Sequence, residues 1–214
     1  MLKPFLLLPV VAMLLIGCSK ENQTQMEEAA SSPQSTEVTP RPSSVEPSTL
    51  ALVRDGNRIA LGDSLPKVFQ VFSKPKPSFE FTDLPPGFQS PYSAKGWETA
   101  REGVGAILYG DKVVAIMREL QHASPDTLQE MVDTITKANA AYKPSIVQGS
   151  HVTYYFWVLP KQCLMISALQ TGRNLLSVTE ALGDTVVMDS LGLSPAQARD
   201  DQPKVDQFFQ KGKS

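Results

Sequence analysis

Ser64 stands in the run Gly62-Asp63-Ser64-Leu65, directly behind the apolar segment Ile59-Ala60-Leu61. A serine hydroxyl becomes a nucleophile only when a base, itself oriented by an acid, takes its proton. The chain offers two histidines for that work, His122 and His151. Glu119 precedes His122 by three residues, and Gln148 precedes His151 by three. The only thiols are Cys18 and Cys163. Two cysteines cannot form a disulfide framework or an all-cysteine zinc site. Asp126, Glu130 and Asp133 are spaced along one exposed helix face without a metal-ligand pattern. No metal and no cofactor is expected from these residues.

Aromatic side chains are the second resource. Phe79, Phe81, Phe88, Tyr92 and Trp97 share one stretch with Pro77, Pro85, Pro86 and Pro91. Rigid rings in a proline-rich loop suit recognition of a partner, peptide or glycan at low entropy cost. These five are the candidate binding surface; the alternative is a loop that folds over a sheet and buries its rings. Tyr154-Tyr155-Phe156-Trp157 alternates its rings between two faces of a strand, and burial on both faces is expected. Cys163, beside Leu164, Met165 and Ile166, reads as a buried, inert core thiol. Its alternative is intermolecular pairing in an oxidising compartment. His122 and His151 lie at element ends and read as solvated.

Charge narrows the partners. Over 214 residues, 20 Lys and Arg oppose 22 Asp and Glu, for a net charge of −2. Without a basic excess, no nucleic-acid partner is expected. The average hides three unequal parts. Lys3 is followed by an apolar run from Phe5 to Ile16 that contains Pro9. That run is shorter than the ~20 residues a spanning helix needs, and it reads as a secretory signal over 1–17. The segment 18–49 is rich in Ser, Thr, Pro and Glu, holds no aromatic residue and is read as a disordered tether. Residues 50–214 carry 17 basic and 17 acidic side chains and form the single globular domain.

The tetrapeptide Leu15-Ile16-Gly17-Cys18 resembles the lipobox of bacterial lipoproteins. The resemblance implies cleavage before Cys18 and a diacylglyceryl group on its thiol. Several acyl chains at one residue give stable attachment where one chain is marginal. It also implies a cell-envelope location, with the membrane as partner through Cys18. Ser19 in the next position fits outer-membrane sorting in a two-membrane host.

Gly62-Asp63-Ser64-Leu65 resembles the name motif of the GDSL (SGNH) esterases and lipases. That resemblance implies Ser64 as nucleophile, with an Asp-x-x-His late in the chain and a Gly-x-Asn-Asp oxyanion block. This chain has neither. A wider stretch, from Ile59 through Gly62, Ser64 and Val68 to Pro75, resembles the small lipoproteins of the SmpA/OmlA (BamE) group. There Ser or Thr caps a helix and the apolar residues pack. The group's usual second glycine is replaced here by Ser73 or Lys74. This second resemblance implies a noncatalytic envelope domain that binds proteins.

The elements that must position these residues follow from punctuation and period. Asp55-Gly56-Asn57 turns a hairpin. Asp63 or Ser64 caps a helix that shows Leu65, Val68, Phe69 and Phe72 on one face. Strands are expected near Gly96–Arg101, Val104–Tyr109 and Lys112–Leu120. Ser124-Pro125 opens the clearest helix, with Leu128, Met131, Val132, Ile135 and Ala138 on one stripe. Three further strands, His151–Leu159, Cys163–Gln170 and Leu175–Thr179, precede a short helix near Thr185–Leu191. A last helix after Ser194-Pro195 presents Val205, Phe208 and Phe209. Short turns make neighbours antiparallel. The expected fold is α+β: an antiparallel meander with helices on one face, as two α-β-β-β units.

Three function classes remain open. The leading reading is a membrane-tethered envelope lipoprotein whose domain binds or scaffolds a protein partner without catalysis. The alternatives are a Ser64 esterase and a carrier of an apolar ligand held between sheet and helices.

Overall fold

The computed structural model describes residues 39–44, 48–76 and 78–211. The expected signal 1–17, the lipobox with Cys18 and most of the tether 18–49 lie outside the described residues.

The chain opens with a hairpin, β1 (Ala51–Arg54) and β2 (Asn57–Ala60). Its turn residues Asp55 and Gly56 both have positive φ, 50° and 76°. That is the two-residue turn whose twist matches its strands, and Asp-Gly supplies it at low cost. Helix α1 (Leu65–Val71) follows. Then comes a four-strand meander: β3 (Phe79–Phe81), β4 (Tyr92–Glu98), β5 (Glu102–Tyr109) and β6 (Lys112–Ala123). Helix α2 (Pro125–Ala138) starts a second round. Its meander is β7 (Ser145–Gln148), β8 (Val152–Leu159), β9 (Gln162–Gly172) and β10 (Leu175–Asp184). Two helices close the chain, α3 (Thr185–Ser190) and α4 (Pro195–Lys211).

Both meanders join into one eight-stranded antiparallel sheet of order β3-β4-β5-β6-β10-β9-β8-β7. The fold is therefore mixed α+β, as the pattern predicts. Each half is a helix followed by four strands, not three. The additional strands, β3 and β7, are the two edges of the sheet. The halves meet through their last strands, β6 and β10, which pair from Ala115↔Gly183 to Ala123↔Leu176.

The helices occupy both faces of the sheet, which corrects the expectation of one. On the first face α1, α2 and the β1-β2 hairpin bury Leu52, Ile59, Val68, Phe72, Val132 and Ile135 against Trp97, Val104, Ile116, Trp157, Leu164 and Ile166. On the second face α3 and α4 bury Met188, Ala198 and Val205 against Tyr154, Phe156, Cys163, Met165 and Ala181. The reason lies in β8, β9 and β10. These strands are apolar at successive positions, so each face needs a cover.

Local bonds set the edges of this arrangement. Ser124 caps α2 by accepting from the Thr127 N–H at 3.1 Å. At the other end of α2 the buried Asn139 side chain donates to the Ala51 carbonyl and accepts from the Ala51 N–H, both at 3.0 Å. This pair ties β1 to α2. Gly96 and Gly105 lie opposite each other in β4 and β5. A Cβ at Gly96 would come within 2.1 Å of the Phe81 ring, which lies over both glycines.

Candidate functional site

A straight row of residues crosses the whole sheet. Phe79 pairs with Glu98, Glu98 with Gly103, and Gly103 with Glu119. Glu119 pairs with Thr179, Thr179 with Ser167, Ser167 with Tyr154 and Tyr154 with Val147. Residues in register share a face, so Glu98, Glu119, Thr179, Ser167 and Tyr154 form a polar line on the face that α3 and α4 cover. Such a line is costly to bury unless its groups find partners.

Helix α4 roofs one end of this line. Ser194, Ala198, Asp201 and Val205 recur at i, i+4, i+7 and i+11, one face of a helix. They line a cleft together with Gly192 and Leu193 above, and Val152, Tyr154, Met165, Ser167, Leu169, Ser177 and Thr179 below. Its cavity volume is about 30 Å³. That is room for one small polar group, against the several hundred Å³ typical of pockets for larger organic ligands.

Asp201 is 3% exposed although it is acidic. Its carboxylate accepts from Gln197 Nε2 at 2.7 Å and from Lys204 Nζ at 2.8 Å. Tyr154 is 4% exposed, and its buried hydroxyl has no hydrogen-bond partner among the described residues. Burial, then the charges of Asp201 and Asp206, push its pKa up to about 12. The phenol therefore keeps its proton at every ordinary pH. An unpartnered buried hydroxyl costs about 1–3 kcal/mol.

Glu119 stands beyond Thr179 in the row. Ser177 Oγ donates to its Oε1 at 3.3 Å, and Gln121 donates to the same oxygen. Burial raises its pKa, those two hydrogen bonds oppose the rise, and Glu98 adds to it. At the entrance of β8, Asp206 accepts from the N–H groups of Ser150 and His151 at 3.1 and 3.0 Å. Burial works to raise its pKa. The bonds from Ser150, Gln202 and His151 outweigh that and hold it below the ordinary range.

The five aromatic candidates do not form one surface. Trp97 is buried on the first face, where its indole N–H donates to the Phe72 carbonyl at 3.2 Å. Phe88 and Tyr92 are buried on the second face, edge to face with centroids 5.0 Å apart, and Tyr92 meets Tyr109 at 5.1 Å. Phe81 covers the two glycines, and Phe79 alone is largely exposed. Four of the five lie in regular strands, Phe79 and Phe81 in the edge strand β3 and Tyr92 and Trp97 in β4, inside what reads from sequence as a proline-rich loop. Tyr92 holds a segment of the chain itself. Its hydroxyl donates to the Pro40 carbonyl at 2.6 Å, and Gln89 Nε2 donates to Thr39 Oγ1 at 2.7 Å. Burial, Asp184 and Tyr109 push the Tyr92 pKa up to about 12.

Ser64 is exposed at the start of α1 and makes no side-chain cap bond. The local bonds are made by Asp63, which accepts from the Ala60 N–H and from Lys67 Nζ, each at 2.8 Å. Neither histidine reaches Ser64. Asp63 and Gly62 are bonded to Val113 at the start of β6, whereas His122 lies nine residues along that strand, ~30 Å away. His151 is on the side of α4, stacked on Phe209 with its Nδ1 3.4 Å from Asp206 Oδ1. Cys163 is buried, with its pKa pushed up to about 12 by burial and then by Asp189. Among the described residues, no group of three or more His, Cys, Asp and Glu is placed to hold a metal ion. No helix among them is long and apolar enough to cross a membrane.

One signal in the sequence points to the cleft. Asp201 interrupts the apolar stripe of α4 between Ala198 and Val205, and a carboxylate on a core-facing stripe needs a reason. The hydroxyls opposite it belong to three strands, and only the register brings them together. The fold defines an α+β protein with an eight-stranded antiparallel sheet covered on both faces. Compared with known proteins, the chain matches no family model, no curated protein and no solved structure.

Proposed function

We propose that this chain is a lipid-anchored envelope protein whose folded domain is a noncatalytic binding or scaffold module. Cys18 carries the anchor, a protein of the envelope is the partner, and in a two-membrane host the domain faces the periplasm from the outer membrane. The lipobox residues Leu15 to Cys18 support the anchor. The observation that carries the rest is the seat of residues 39–44. Asp184 is fully buried, and its Oδ2 accepts from the N–H groups of Ser43 and Ser44 at 2.8 and 3.2 Å. The segment leading to the membrane therefore leaves the domain at a fixed place, beside Gln89 and Tyr92. From Cys18 to Thr39 there are 21 steps along the chain, so the domain stays within roughly 75 Å of its anchor. A domain held at limited reach, with its tether joined at one fixed place, suits capture of a partner near the membrane.

Fractionation and crosslinking of the full chain test this. The wild type should sediment with membranes and crosslink reproducibly to one envelope protein. Cys18→Ser should move to the soluble fraction and lose that crosslink. Membrane retention without Cys18, or no reproducible partner, would contradict the reading.

A further inference from the structure

The cleft under α4 has an unusual lining. Its polar side chains are Tyr154, Ser167, Ser177, Thr179, Ser194 and Asp201. Every one presents oxygen, and no side-chain nitrogen lines the cleft. Of these, Ser177 is committed as a donor to Glu119, and Ser194 Oγ accepts from the Gln197 N–H. The Tyr154 hydroxyl is committed to no group among the described residues. Asp201 accepts from Lys204 and Gln197, and two accepted bonds leave further lone pairs on its two oxygens. Asp206, whose carboxyl is held below the ordinary range, lies nearby and adds negative charge. The remaining walls are apolar, from Val152, Met165, Leu169, Leu193, Ala198 and Val205.

We propose that this cleft binds a primary alkylammonium group, its three N–H bonds donating to the Asp201 carboxylate, to the Tyr154 hydroxyl oxygen and to one of the hydroxyl oxygens of Ser167 and Thr179. An ammonium is a donor-only cation, the complement of an all-oxygen lining with a buried carboxylate. The volume fits the head alone. The alkyl stem has apolar wall to lie against, as lysine stems do on protein surfaces. The group comes either from a free amine or from a lysine of a bound protein. The site belongs to the folded domain and operates with or without the lipid anchor.

Thermal unfolding of the full-length chain at constant ionic strength tests the proposal. Methylammonium chloride and N-acetyl-lysine methylamide are the probes. Sodium chloride and tetramethylammonium chloride, which lacks an N–H, are the controls. Methylammonium should raise the unfolding temperature above both controls. Tyr154→Phe, which keeps the ring, should weaken the apparent affinity about tenfold or more, as should Asp201→Asn. If Asp201→Asn does not fold, Tyr154→Phe alone decides. A stronger response to the lysine derivative identifies a lysine on a partner as the source, and an equal or weaker one identifies a free amine. Equal shifts from either control salt, no shift from either probe, or a Tyr154→Phe response matching the wild type would overturn the proposal.

Discussion

The Ser43 N–H and the Asp184 carboxylate, 141 residues apart in the chain, meet at 2.8 Å. Asp184 also accepts from the Val186 N–H at 3.0 Å and so caps α3. One buried carboxylate thus fastens the N-terminal segment, ends β10 and starts a helix. Asp184→Ala leaves three N–H groups without this acceptor. It should cost about 2–4 kcal/mol in denaturant unfolding. It should also open the chain near residues 39–44 to protease while the sheet stays intact. Unchanged stability and cleavage would show that the segment is held by other groups.

Tyr154→Phe removes a hydroxyl that has no partner among the described residues. Without added amine the variant should unfold within about 1 kcal/mol of the wild type, or be more stable, because the unpaired polar atom is gone. A loss of about 2 kcal/mol would mean that the hydroxyl is bonded within the fold.

Arg118 lies between two carboxylates on the first face. Its Nε is 2.6 Å from Glu102 Oε1, and its Nη1 is 3.6 Å from Glu180 Oε1. Arg54 reaches the same Glu102 oxygen at 2.9 Å, and both guanidinium groups lie over the Phe72 ring at 5.9 and 5.8 Å. Glu180 is only 3% exposed. Arg118→Met leaves it buried without its main cation and should cost about 3–5 kcal/mol. The double variant Arg118→Met with Glu180→Leu should recover most of that loss. A single variant costing under about 1 kcal/mol would contradict the pairing of Glu180 with Arg118.

These features differ in how far the sequence shows them. Asp55-Gly56, Ser124-Pro125 and the stripe from Leu128 to Ala138 act within a few residues, so the turn and the longest early helix are legible. Strand β7 is not. Its four residues lie between Pro144 and Gly149, too few to show a period, and β8 gives them their structure. The placement of helices on both faces is half legible, since Tyr154 to Trp157 requires cover on each side. Asp201 is visible as a break in a stripe, but its oxygen partners depend on register across β8, β9 and β10. The aromatic stretch misleads because a proline-rich loop and a pair of strand segments share one composition.

Stability should depend on pH through Glu119 and Glu180. Burial raises both carboxyls, with Ser177 and Gln121 opposing the rise at Glu119, and Arg118 opposing it at Glu180. A raised carboxyl binds its proton more tightly in the folded state than in the unfolded chain. Stability from this source is full below the ordinary carboxyl value of 4.5 and falls as pH climbs from there through the raised value. Glu119→Gln, with unfolding followed from pH 4 to 8, should flatten part of that fall. An unaltered slope would assign the dependence elsewhere.

The most direct measurement is the intact mass of the mature N-terminus in protein purified from membranes of the native host. The predicted result is a chain that begins at Cys18 and carries a diacylglyceryl group, lost together with membrane attachment in Cys18→Ser. A chain that begins at Met1, is cut at another position, or carries an unmodified Cys18 would contradict the account.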